Sequence, residues 1–161
     1  MSRRVLAGVW LLAALVPVVA GAATRELKTA DIAGHWSGTS YAEKSRSILT
    51  LDIVACGTGW CGIKVEEAEK CGGAALKLNS DAVGENGALF EGTLELAQGT
   101  EPYRIQATIF PPEDGKPLEM RIIGDTGGEF SPIRRSFPIE AALARVKDAV
   151  CHAPQTVSSL Q

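Results

Sequence analysis

The chain has 161 residues, 45% of them apolar, 22% charged and 6% aromatic, with a formal charge of −3. That composition fits one folded domain. It excludes a disordered tail and leaves no basic excess with which to hold a nucleic acid.

The first residues read as an export signal. Arg3 and Arg4 are followed by the uncharged apolar stretch 5–20, and Ala20-Gly21-Ala22 supplies the small residues that a signal peptidase requires. The expected division is therefore a signal peptide over 1–23 and a single domain over 24–161. Loss of Arg3 and Arg4 would leave 14 basic against 19 acidic residues, a mature charge of −5. No second apolar run is long enough to span a membrane, so no transmembrane segment is expected after cleavage. The expected location is the periplasm or the exterior of a bacterial cell.

Four cysteines, Cys56, Cys61, Cys71 and Cys151, follow the leader. An even number in a small exported domain predicts two disulfides, and three connectivities are open. Cys56 and Cys61 flank the hairpin-length loop Gly57-Thr58-Gly59-Trp60. A bond there needs little backbone movement and leaves Cys71 for Cys151, closing a long loop worth about 3–5 kcal/mol in the chain-entropy model. The spacing lacks the close cysteine pairs of structural zinc, and no metal is expected.

The chain then alternates with a period of two, the mark of half-buried antiparallel strands. Residues 34–41 alternate weakly. Over 46–55, Leu49, Leu51, Ile53 and Ala55 oppose Thr50 and Asp52, and over 60–66, Ile63 and Val65 oppose Lys64 and Glu66. A short segment around Leu76 and Leu78 precedes the turn signal Asn86-Gly87. Three clear runs follow, built on Phe90, Leu94 and Leu96, on Tyr103, Ile105 and Ile109, and on Leu118, Met120 and Ile122. A weak run at 130–136 makes eight. If Cys56 faces Cys61 directly, Ile53 falls opposite Lys64 and the apolar faces disagree. A bulge at Gly57 or Gly59 would reconcile them.

After Pro138 the period becomes helical. Ile139, Ala142, Leu143, Val146, Ala149 and Val150 fall on one helical face, Arg145 and Lys147 face out, and Pro154 ends the run. The predicted architecture is all-β: a small antiparallel barrel of about eight strands with a C-terminal α-helix over about 138–152. A two-sheet sandwich is the alternative.

Two stretches carry resemblances. Gly34-His35-Trp36, just after Asp31-Ile32-Ala33, resembles the Gly-x-Trp signature that opens the first strand of lipocalin-like (calycin-like) barrels. The resemblance implies a structural Gly34 and a Trp36 that closes one barrel end beneath a late arginine, Arg134 or Arg135, as a cation stacked on an indole. The run 53–65, holding Cys56-Gly57 and Cys61-Gly62, resembles the Cys-Gly-x-x-x-Cys-Gly hairpin of a bacterial family of exported small barrels with no assigned function. Cys71, Cys151 and the C-terminal segment depart from that pattern.

No catalytic residue is expected. No serine lies in a nucleophile elbow, and neither His35 nor His152 has a partner at a recognisable spacing. Asp52 and the carboxylates Glu66, Glu67 and Glu69 read as solvated surface, and His35 as exposed or at the barrel rim. The leading expectation is a non-enzymatic envelope barrel without cofactor that binds a small apolar ligand or lipid, with Trp36, Phe90 and Tyr103 as candidate lining residues. The alternative is an inhibitor of an envelope hydrolase, a protease or lysozyme. Ser37-Gly38-Thr39-Ser40-Tyr41 resembles the Ser-Gly-x-x-Tyr form of one lysozyme-inhibitor group, although the Thr-Lys-Gly loop of that group is missing. A negative chain would be steered towards a basic enzyme.

Overall fold

The computed structural model describes residues 27–42, 44–79, 83–84, 87–111, 115–126 and 138–153. A single helical turn, α1 (Thr29–Ile32), precedes nine strands: β1 (Gly34–Ala42), β2 (Ser45–Cys56), β3 (Gly59–Val65), β4 (Cys71–Leu78), β5 (Val83–Gly84), β6 (Gly87–Leu94), β7 (Tyr103–Ile109), β8 (Glu119–Asp125) and β9 (Ile139–Lys147). They form one antiparallel sheet in the order β4-β3-β2-β1-β9-β8-β7-β6-β5, and a further β4–β6 pairing closes it into a barrel. Eight strands make the wall, and β5 is a short ribbon on β6.

Alternation decides which side chains point inward. Leu49, Leu51 and Ile53 of β2, Phe90 and Leu94 of β6, Tyr103, Ile105 and Ile109 of β7, and Met120 and Ile122 of β8 are all buried in one apolar cluster. Each such side chain contributes about 1.5–3 kcal/mol by leaving water. Glycines let the curved wall close on itself: a Cβ at Gly38 would strike the Ala142 carbonyl across the β1–β9 seam, and one at Gly92 would strike the Lys77 carbonyl at the β4–β6 seam.

The expected C-terminal helix over 138–152 is not formed. Residues 139–147 are strand β9, in which Ile139, Ala141 and Leu143 are buried at period two while Val146, assigned to the apolar helical face, is 62% exposed. Tertiary pairing overrides the local pattern. β1 and β8 each lack a neighbour without this segment, and β9 fills the gap with eight register pairs to β1 and six to β8. Thus the eighth wall strand is β9. The weak run at 130–136 lies outside the described residues, as does the leader over 1–23.

Both disulfides are present, Cys56–Cys61 and Cys71–Cys151. The β2–β3 hairpin contains no bulge. Gly57, at φ 61°, admits a two-residue turn, and Cys56 pairs with Gly59 while Cys61 pairs with Val54. The disulfide therefore runs diagonally between neighbours on one face. The conflict of faces is real: Ile53 lies opposite Gly62 and Leu51 opposite Lys64. As a result Cys61 and Ile63 point to the outside of the barrel, where they form a second cluster with Cys151, flanked by Val54, Cys56 and Val65.

Candidate functional site

Two features on the outer wall concentrate polar chemistry. The first lies where β1 and β2 pair His35 with Asp52. Both side chains point outward, yet Asp52 is 0% exposed and His35 only 8%, because the segment 148–153 crosses over them. His35 was expected at the surface and Asp52 among solvated carboxylates; the overlying segment corrects both. His35 Nδ1 lies 2.6 Å from Asp52 Oδ1. Asp52 Oδ2 accepts the backbone N–H groups of Val150 at 2.8 Å and Cys151 at 2.7 Å. A carboxylate only accepts, so the proton in the His35 contact sits on Nδ1. Three donors thus satisfy a carboxylate that would otherwise be costly to bury.

The rim of this clamp carries a further ion pair. The Lys147 ammonium holds the Glu69 carboxyl below its usual carboxylate range. Ala68 and Glu69 both take positive φ, at 57° and 58°, in the short 3₁₀ turn that presents Glu69. Glu66 and Glu67 do not join the clamp; Glu66 faces Lys70 at 3.9 Å on the surface.

The clamp brings together a histidine and a carboxylate. The Ser37 hydroxyl is 3.0 Å from the Thr50 hydroxyl. Among the described residues no group of three or more His, Cys, Asp or Glu side chains is arranged to hold a metal ion. His152 is exposed beside the buried Cys151.

The second feature is a groove of about 580 Å³ running along β9. The register places Ala142 and Ala144 on its floor. Ser37, Thr39 and Tyr41 of β1 form one bank, and Glu119 and Arg121 of β8 with Phe110 form the other. Two alanines between taller neighbours make the valley. Tyr41 and Phe110 are 51% and 44% exposed, and Arg46 stands 5.8 Å over the Tyr41 ring. The outward side chains of the Ser37-Gly38-Thr39-Ser40-Tyr41 run therefore share one bank. A second groove, of about 640 Å³, crosses β4, β6 and β7 and is lined mainly by polar residues, Lys77, Asn79, Glu91, Thr93 and Arg104 among them.

The residues expected to line a ligand lie in the interior. Trp36 is 0% exposed, Phe90 1% and Tyr103 6%, all within the barrel core. Trp36 donates its indole N–H to the Ile32 carbonyl at 3.0 Å, beneath the turn α1, which carries the buried Ile32. Arg134 and Arg135 lie outside the described residues. Among the described residues the arginine beside the Gly34-x-Trp36 opening is Arg145. It pairs in register with Trp36, donates from Nε to the Ala33 carbonyl at 3.0 Å, and occupies the space that a Cβ on Gly34 would need. Sequence reasoning missed Arg145 because it lay on the outer face of the expected helix.

Fold and site together define a small, disulfide-bearing, closed antiparallel β-barrel with a strapped outer wall. No family model matches the chain, and neither a curated protein nor a solved structure matches it significantly. No helix among the described residues is long and apolar enough to cross a membrane.

Proposed function

We propose that the chain is a non-catalytic binding protein of the cell envelope that engages a protein partner, an envelope hydrolase, through the groove along β9. A closed small barrel is in general suited to carrying ligands or lipids. The observation that favours the outer wall here is that bulky side chains fill the inside: Trp36, Phe90, Leu94, Ile109, Met120 and Ile122 are each no more than 1% exposed and belong to one cluster. An eight-stranded barrel is just wide enough to be filled in this way. The groove instead offers two exposed aromatic rings and a row of hydroxyls, the kind of surface that anchors a partner. The export signal and the two disulfides support an oxidising compartment. The acidic chain supports a basic partner.

The test is inhibition of purified envelope hydrolases, a lysozyme and a subtilisin-like protease, by the wild type and by Ala142→Arg. The variant fills the groove floor at an exposed site. Dose-dependent inhibition by the wild type, lost in the variant with its melting temperature unchanged, is the expected result. Absence of inhibition, with a small apolar molecule retained stoichiometrically in native mass spectra until organic extraction, would replace this reading with carriage of an apolar ligand.

A further inference from the structure

We propose that Cys71–Cys151 is a redox-operated clasp: a dithiol reductant opens it while the barrel stays folded, releasing the segment 148–153 from the outer wall. The argument does not depend on the binding reading. The two disulfides sit at one cluster yet differ in what holds their ends together. Cys56 and Cys61 belong to a hairpin with six consecutive register pairs, five residues apart in sequence. If that bond is reduced, the hairpin keeps the two sulfurs adjacent and the bond re-forms.

Cys71 and Cys151 are 80 residues apart. Cys71 is exposed, at the start of β4, where Gly72 and Gly73 follow and the register with β3 shifts twice. β4 pairs with β6 only from Leu76 onward, so Cys71 lies on the loosely paired half of its strand. Cys151 lies beyond the end of β9, on a segment docked by the two N–H bonds to Asp52 and by burial of Cys151 itself. Once the bond opens, the two hydrogen bonds to Asp52 and the solvent-exposed Arg145–Asp148 pair are what oppose the conformational freedom of the segment.

The exchange balances as follows. A thiolate of the dithiol attacks Cys71 Sγ, the exposed partner, and the Cys151 thiolate leaves and takes a proton. The second thiol of the reductant closes on the mixed disulfide, and Cys71 leaves as a thiol. Two electrons pass from dithiol to cystine. Release uncovers the outward apolar side chains Val54, Ile63 and Val65 and the His35–Asp52 pair.

The experiment uses the oxidised wild-type protein in native buffer with increasing dithiothreitol, followed by alkylation, peptide mapping and brief trypsin digestion. The proposal expects Cys71 and Cys151 to be labelled at a reductant concentration at least tenfold below that for Cys56 and Cys61. It also expects cleavage after Lys147 to accelerate at least tenfold in step with that labelling, with sites on β7 and β8 still resistant. Labelling of Cys56 and Cys61 first, labelling of all four with general digestion, or labelling of Cys71 and Cys151 with the Lys147 site still protected would each overturn it.

Discussion

The inside and the outside of this barrel are buried by different means. Inside, twenty buried apolar residues, from seven of the eight wall strands and the segment before β1, form one cluster, with Trp60 of β3 packed against it. Outside, Cys61 and Ile63 sit beside a short strap that carries the buried Cys151 and is fixed by one disulfide, Cys71–Cys151, and one carboxylate. The first core is collective, and losing one member weakens it by a cavity. The second is assembled from a few specific bonds, and losing one of them should release a defined segment.

Removal of the long disulfide should have the largest effect on this contrast. Cys71→Ser with Cys151→Ser frees an 80-residue loop in the unfolded chain, a loss of about 4–5 kcal/mol in the chain-entropy model. Urea denaturation should show that loss while the circular dichroism of the folded barrel is retained. Trp36→Ala should cost about 3–5 kcal/mol, the range for a large aromatic removed from a packed core. Its signature should differ, with one cooperative transition that falls and no separate loosening of 148–153.

Asp52→Ala should cost about 3 kcal/mol by leaving the Val150 and Cys151 N–H groups and His35 without their acceptor. Asp52→Asn, which keeps one acceptor oxygen, should cost less. The smallest effect belongs to Glu69. Its lowered pKa means that the Lys147 pairing stabilises the fold above the ordinary carboxylate range and that this contribution disappears as pH falls through the lowered value. Glu69→Gln should therefore be slightly less stable than the wild type at neutral pH and equal to it in acid, by thermal melts across that range. The difference should shrink with added salt, since the pair is exposed.

The two regions were also unequally legible in the sequence. Most wall strands follow from alternation, because the interior asks only for an apolar residue at every second position. β9 did not, because Ala141, Ala142, Leu143, Ala144 and Val146 satisfy a helical period as well as a strand period. Only the open edges of β1 and β8 choose between them. The outer cluster left one trace, the conflict between the faces of Ile53 and Lys64. That conflict marks an outward apolar face awaiting a cover. The Asp52 clamp could not be read, since it joins a side chain to backbone groups 98 and 99 residues away. Backbone donors leave no mark on residue identity. The groove floor was equally silent, because Ala142 and Ala144 acquire meaning only beside the taller banks of β1 and β8.

Native-state amide hydrogen exchange on Asp52→Ala beside the wild type tests the two-region account most directly. The account predicts that Val150 and Cys151 lose their protection in the variant while β6, β7 and β8 exchange at wild-type rates. Uniform loss of protection across those strands, or a strap that stays protected without its carboxylate, would contradict it.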